Sequence, residues 1–179
     1  NVSAKHIMNE NYAKAVIEKL EKRVYPAKSL EIEKINAVLE MGRQAPTAKN
    51  LQEQHIYVLR SNEALSKMDE VTPCRYGAPI ALVVAFDKNN VYTYPGGQRD
   101  SGIEDASIVA THLMRAAKDQ GLDSCWVNNF DPQKLKDLLG LPKQEEILMI
   151  LSVGYASVDA PRPLNHGKRK PLEETVSYL

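Results

Sequence analysis

Met41-Gly-Arg-Gln-Ala-Pro-Thr-Ala-Lys-Asn-Leu-Gln52 is the stretch around which this chain is organised. Before and into it, apolar residues recur at the three-and-four spacing of one buried helix face: Ile32, Ile35, Val38 and Leu39. Pro46 disfavours helical geometry at Ala45, so the helix should end there. The small and polar residues that follow would let a flat ligand approach the backbone and would offer donors and acceptors to its edge. On composition alone, an ordinary polar connection between a helix and a strand is the simpler interpretation.

Three segments resemble signatures of the FMN-dependent nitroreductase family. Residues 43–52, RQAPTAKNLQ, resemble its AR-x-AP-S-x-x-N-x-Q motif, and residues 121–130, GLDSCWVNNF, are similar to its GLGSCW-hydrophobic-GGF segment. The tail at 169–174, RKPLEE, resembles its closing R-x-P-L-E-E. The segments follow the family's order and rough spacing. The resemblance implies an α+β, three-layer fold with a central, mostly antiparallel sheet flanked by helices. It also implies a C-terminal arm that is exchanged in a homodimer.

Composition favours one domain over residues 1–179, with an N-terminal extension at 1–11 and an extended, Pro-rich arm at 155–179. Lys and Arg number 23 against 23 Asp and Glu, so no global field favours nucleic acid or an anionic membrane. No apolar run approaches a bilayer span, and no signal-peptide pattern is evident, which predicts a cytoplasmic protein. Cys74 and Cys125 lack metal-ligand spacing and are predicted to be buried thiols. No metal site is predicted.

Periodicity and turn residues predict the elements between these motifs. Helices are expected at 12–25, from an N-cap at Ser29 to Ala45, at 63–70, from the Ser101–Glu104 capping box to Gly121, and from the Asp131 cap to Gly140. Strands are expected at 55–60, 78–86, 125–127 and 147–153. The helix that follows Ser101 is apolar nearly all round, which predicts a central position. Residues 87–99 are a predicted loop, and whether they form a lid is open.

The phosphate of FMN requires cations, and the resemblance implies two groups of basic residues as its ligands. The family uses a helix-terminal R-x-S-x-R/K, which matches Lys19 to Arg23 here, although Glu21 replaces the small hydroxyl residue. In the tail, Arg169 with Lys168 or Lys170 is the second candidate. A solvated charged helix face is the alternative interpretation for Lys19 and Arg23.

For the edge of the flavin ring, the resemblance implies five residues of the first motif: Pro46, Thr47, Ala48, Asn50 and Gln52. At flavin N5 the family uses a backbone N–H, and the match falls on Val127 and Asn128. Asn129 stands where the family usually has Gly, and Asn tolerates a positive φ better than most residues. Cys125 and Trp126 are more simply interpreted as core packing.

These matches predict an FMN-dependent NAD(P)H oxidoreductase that reduces nitroaromatic, quinone or related acceptors by a ping-pong hydride-transfer mechanism. No catalytic side chain is predicted, because flavin N5 carries the chemistry, and none of the four histidines has a carboxylate or Cys at motif spacing. NADH or NADPH would bind transiently, since no Rossmann motif is present. Two alternatives stay open: a non-enzymatic FMN-binding or regulatory protein, and a specialised flavin dehydrogenase or dehalogenase of the same fold.

Overall fold

The computed structural model describes residues 30–160 and 165–179. The predicted helix at 12–25, with the candidate phosphate ligands Lys19 and Arg23, lies outside the described residues, as does Ser29.

Within residues 30–160 and 165–179, four strands form one sheet in the order β1-β2-β4-β3, and every neighbouring pair is antiparallel. The strands are β1 (Gln54–Leu59), β2 (Ile80–Asp87), β3 (Asp123–Val127) and β4 (Glu145–Gly154). The continuous apolar sequence of β2 places it in the interior of the sheet, where every residue except Asp87 is buried. β1 and β3 are the two edges. The predicted antiparallel sheet is therefore confirmed.

Helices cover both faces of this sheet, which gives the predicted three layers. They are α1 (Ile32–Arg43), α2 (Asn62–Asp69), α3 (Gly102–Asp119) and α4 (Pro132–Leu139). One core cluster joins α1 and α3 to side chains such as Leu82 and Met149. The other joins α2 and α4 to Val83 and Ile150 on the opposite face. A Cβ at Gly42 would lie 2.5 Å from a methyl carbon of Leu113, so α1 and α3 approach closely because position 42 has no side chain.

The predicted ends of α4 and the start of α3 are confirmed, whereas the predicted start of α1 and the capping hydrogen bond of Ser101 are wrong. Asp131 accepts a hydrogen bond from the Lys134 N–H, and Gly140 ends α4 at a φ of 65°. The N-cap of α1 is Glu31, so the start assigned to Ser29 is wrong. Ser101 is the N-cap residue of α3, so the predicted start is confirmed, but its side chain makes no capping hydrogen bond because its hydroxyl is engaged with Tyr92 and Glu53.

The sequence predicts that α3 is central, with apolar residues buried nearly all round it, and its outer face shows that this is only partly correct. Its inner face is buried, but Ile103 is 56% exposed, and Ile108 and Met114 are each 37% exposed. The apolar residues on that outer face have no cover within the described part of the subunit. No helix among the described residues is both long and apolar enough to cross a bilayer.

Candidate functional site

The predicted cofactor loop, residues 46–52, adopts a tight and unusual backbone. After α1 ends, a 3-10 turn forms at Ala48–Asn50. Lys49, Asn50 and Gln52 have φ values of 52°, 57° and 54°, a left-handed region that costs energy for residues other than glycine. Such strain persists only where surrounding contacts determine the conformation. Within the loop, the Gln52 N–H donates to Thr47 Oγ1 at 3.0 Å, which closes the turn.

Contacts from two other segments hold the cofactor loop in place. The Ala48 N–H donates to Asp105 Oδ1 of α3 at 3.0 Å. Asn90 Nδ2 donates to the Leu51 carbonyl at 3.1 Å. The Lys49 ammonium lies 4.5 Å from the centre of the Tyr92 ring. The loop is thus fixed by tertiary contacts, and sequence analysis missed Asn90 and Asp105 as its supports.

The segment predicted as a loop at 87–99 contains a short hairpin. Thr93 and Asp100 form a β-bridge, and the Tyr94 N–H donates to the Arg99 carbonyl at 3.0 Å. Tyr94 Oη donates to Glu104 at 2.5 Å, and Arg99 pairs with the same carboxylate at 3.3 Å. The hairpin is therefore joined both to the start of α3 and, through Tyr92, to the cofactor loop.

Two carboxyl groups are buried beneath this loop. Glu53 and Asp105 are each 4% exposed, and Glu53 Oε2 and Asp105 Oδ2 accept no hydrogen bond from any other described residue. Burial, followed by the hydrogen bond to Asp105, raises the pKa of Glu53 from 4.5 to about 7. One signal in the sequence could have identified Asp105, because an acid on the apolar face of a helix needs a reason to be there.

The residues matched to flavin N5 lie where β3 ends. Val127 is the last residue of β3 that pairs with β4, so the Asn128 N–H follows the paired region. The Asn128 side chain accepts a hydrogen bond from Trp126 Nε1 at 2.9 Å. Asn129 does not have a positive φ, so the tolerance of Asn for that region is not needed at this position. Its amide instead lies 3.8 Å from Cys74 Sγ.

The two cysteines are free thiols in the structure. Cys74 is buried as predicted, whereas Cys125 is only partly buried, so that part of the prediction is wrong. Trp126 is also partly buried and packs against the core on the α1 and α3 face, which agrees with the packing interpretation.

In the arm, Lys168 and Arg169 are exposed. Arg169 Nη1 donates to the carbonyls of His166 and Lys168 at 3.0 and 2.8 Å. Neither cation has a carboxylate partner among the described residues, whereas Lys170 pairs with Glu174 at 3.6 Å. Two cations without a carboxylate partner fit the needs of a phosphate group.

The two ring-contacting segments are not neighbours within one sheet. The cofactor loop leads into β1, whereas Val127 and Asn128 end β3, and these strands are opposite edges. Three inter-strand spacings separate the edges by about 14 Å. One chain therefore presents its predicted flavin contacts as two halves on opposite edges of the sheet.

A separate titratable cluster escaped sequence analysis. His55 Nδ1 lies 2.7 Å from Oε1 of buried Glu145, and Tyr57 Oη donates to the other oxygen of that carboxylate. Burial, followed by this hydrogen bond, raises the pKa of Tyr57. The partners are 90 residues apart in sequence, so motif spacing could not reveal them. No group of three or more potential metal ligands occurs in the described ranges.

Comparisons with known proteins agree with this architecture. A model of the nitroreductase family matches residues 21–74 and 72–155. A protein of Archaeoglobus fulgidus, provisionally named NADH dehydrogenase/NAD(P)H nitroreductase, is 30% identical over 141 residues, covering 74% of this chain and 78% of its own.

Solved structures of nitroreductases are also similar to this chain in fold. A nitroreductase family protein of Clostridium difficile 630 has a TM-score of 0.80 and 36% identity, covering 90% of this chain and 96% of its own. An FMN-dependent nitroreductase of Clostridium difficile R20291 has a TM-score of 0.68 and 26% identity, covering 90% of this chain and 98% of its own.

Proposed function

The chain belongs to the nitroreductase family, and from that premise we propose that it binds FMN and oxidises NADH or NADPH to reduce a small acceptor. The acceptor would be a nitroaromatic, a quinone or a related compound. The observation that carries the proposal is the backbone of the cofactor loop, because Lys49, Asn50 and Gln52 have positive φ values within the matched motif. Backbone strain of this kind is characteristic of binding sites. A similar solved structure is an FMN-dependent nitroreductase.

Each part of FMN has suitable residues in this chain. Pro46, Ala48 and the polar side chains of Thr47, Asn50 and Gln52 would line the ring and hydrogen-bond its edge. Lys168 and Arg169 would hold the phosphate, together with Lys19 and Arg23. Bound FMN supplies a hydride carrier at its N5 atom. The N–H groups of the Val127–Asn129 segment would orient that atom, and no side chain needs to transfer a proton.

A single substrate position against the ring would produce ping-pong kinetics. In that arrangement the nicotinamide leaves before the acceptor binds, because both need the same face of the flavin. The packed hairpin and cofactor loop would exclude water from that face, which protects a transferred hydride from loss to solvent.

We also propose that the working unit is a homodimer. The cofactor loop and the Asn128 segment lie at opposite edges of one sheet, so a second copy would complete the site by bringing its own loop to the first copy's β3 edge. The uncovered apolar face of α3, with Ile103, Ile108 and Met114, offers a surface for that second copy. The exposed arm would reach across to the partner.

The decisive experiment is the visible spectrum of the purified protein followed by NADH and NADPH oxidation with nitroaromatic and quinone acceptors. We expect an oxidised-flavin band, release of FMN on denaturation, and oxidation that depends on the acceptor. Protein that cannot be reconstituted with FMN would contradict the proposal. Bound FMN without NAD(P)H oxidation would favour a binding or regulatory protein. Flavin reduction with poor turnover of every generic acceptor would favour a specialised enzyme.

A further inference from the structure

Glu53 and Asp105 form a buried carboxyl pair directly behind the cofactor loop. Both side chains are 4% exposed, they interact with each other, and each has one oxygen that no other described residue contacts as a donor. Two neighbouring buried carboxylates cannot both be ionised at low cost. One proton between them would turn two unpaired acceptors into a hydrogen bond and remove the repulsion.

The contacts of the pair indicate which member carries the proton. Asp105 accepts the Ala48 N–H at 3.0 Å and lies in the first turn of α3, where the helix dipole favours negative charge. The Glu53 carboxyl is held by its own backbone N–H and by a long contact from Ser101 Oγ, at 3.4 Å, and burial outweighs both. Glu53 is therefore the donor of the pair and Asp105 is its acceptor.

We propose that Glu53 and Asp105 share one proton and act together as the positioning element of the cofactor loop. The Glu53 O–H donates to Asp105, and Asp105 holds the Ala48 N–H at the start of the strained turn. Loss of the proton places two negative charges in the same buried space and weakens the anchor of the loop. The effect on FMN affinity rests on the proposed function, whereas the effect on the loop itself does not.

Other charged groups around the pair are engaged elsewhere. Asp87 Oδ1 accepts the Asn89 N–H, and Asp100 Oδ1 accepts the Gly102 N–H. Glu104 binds Tyr94 and Arg99, and the Lys49 ammonium lies on the Tyr92 ring. Asp105 is the one charged side chain among the described residues that raises the pKa of Glu53.

The direction of the pH dependence follows from that pKa. Glu53 binds its proton more tightly in the folded protein, with a pKa of about 7 against 4.5 in the unfolded chain. The folded state therefore binds more protons between these values, and its stability falls as pH rises through them. The stabilising state of the pair is complete below pH 4.5 and is lost above pH 7.

The test compares the wild type with Glu53→Gln, whose amide donates to Asp105 at every pH. Glu104→Gln is the matched control, because it changes a neighbouring but exposed carboxylate of α3. We would measure the melting temperature from pH 5 to pH 8.5. We would also measure hydrogen exchange of residues 45–53 in the flavin-free full chain, corrected for the intrinsic exchange rate at each pH.

We expect the wild type and Glu104→Gln to lose melting temperature and loop protection as pH rises. We expect Glu53→Gln to retain both, with a melting temperature several degrees higher than the wild type at pH 8. The FMN dissociation constant of the wild type, divided by that of Glu53→Gln, should rise at least about threefold between pH 5.5 and pH 8. The ratio cancels ionisation of the phosphate.

If the melting temperatures of the wild type and Glu53→Gln change in parallel with pH, the proposal of a shared proton is overturned. If the melting profile of Glu53→Gln is flat but its loop protection matches that of the wild type at every pH, the positioning role is overturned. If Glu53→Gln does not fold, Asp105→Asn takes its place, since its amide can donate to Glu53 while its oxygen accepts the Ala48 N–H. Failure of the wild type to bind FMN would overturn the proposed function alone, and the exchange measurement would still decide this inference.

Discussion

The cofactor loop at 46–52 and the arm at 165–179 differ sharply in what holds them. The loop is tied to α3 by Asp105 and to the following segment by Asn90. Residues 165–179 of the arm are all exposed, and their hydrogen bonds are local, such as that from Thr175 Oγ1 to the Leu172 carbonyl. Both segments carry predicted FMN contacts. The loop, which is one half of the proposed FMN site, is therefore preorganised within the subunit, whereas residues 165–179 of the arm lie exposed on the subunit.

Apolar residues in the arm support that interpretation. Leu172 is 64% exposed and Tyr178 is 95% exposed, so the arm keeps apolar surface in water. Ordering such a segment costs backbone and side-chain entropy that local hydrogen bonds do not offset. A partner subunit would bury these side chains and supply the missing free energy.

Deletion of residues 160–179 tests the arm most severely. We expect loss of both the dimer and bound flavin, because the arm would contribute to the partner interface and to the phosphate site. Sedimentation and the FMN content after denaturation measure the two effects. A truncated protein that stays dimeric with one FMN per chain would show that the arm is needed neither for the dimer nor for flavin binding.

Arg169→Ala isolates the charge of the arm from its packing. We expect FMN binding to weaken by about 1.5–3 kcal/mol, the usual contribution of a hydrogen bond to a charged group. Riboflavin binding should change less, because riboflavin has no phosphate. Fluorescence titration measures both ligands, and Lys170→Ala is the control, since Lys170 already pairs with Glu174. Equal losses for the two ligands would mean that Arg169 acts elsewhere.

Lys49→Gly and Lys49→Ala together measure strain in the loop. Both variants lose the contact with Tyr92, but only glycine relieves the cost of a φ of 52°. We expect the glycine variant to be more stable than the alanine variant by about 1 kcal/mol, partly offset by its greater unfolded-state entropy. Urea unfolding of the flavin-free protein provides the comparison. Equal stabilities would show that the loop relaxes and is not preorganised.

Thr47→Val and Thr175→Val give the smallest and most closely matched contrast. The first removes the acceptor for the Gln52 N–H inside the anchored loop. The second removes a local donor in the exposed arm. We expect a loss of about 0.5–1.5 kcal/mol from the first and almost none from the second. A comparable loss from Thr175→Val would show that the arm is as well packed as the loop.

Local patterns in the sequence identified most of the elements. The predicted strands at 78–86 and 147–153 correspond to Ile80–Asp87 and Glu145–Gly154, with shifts of one or two residues. The predicted helix at 63–70 corresponds to Asn62–Asp69. Such features follow from hydrophobic periodicity and turn residues within a few positions, which any sequence displays directly. The motif at 43–52 likewise identified the family and the location of the loop.

Only the tertiary structure decided how the supports of that loop are arranged. Ser101 fits a capping box by sequence, but its hydroxyl contacts Glu53, 48 residues away. Ala48 and Asp105 are separated by 57 residues, and nothing near either position encodes their hydrogen bond. The sequence by itself determined the family, the antiparallel α+β architecture and the residues of the loop. The fold decided which buried carboxyl holds that loop and placed β1 and β3 at opposite edges, because long-range contacts depend on how the layers pack.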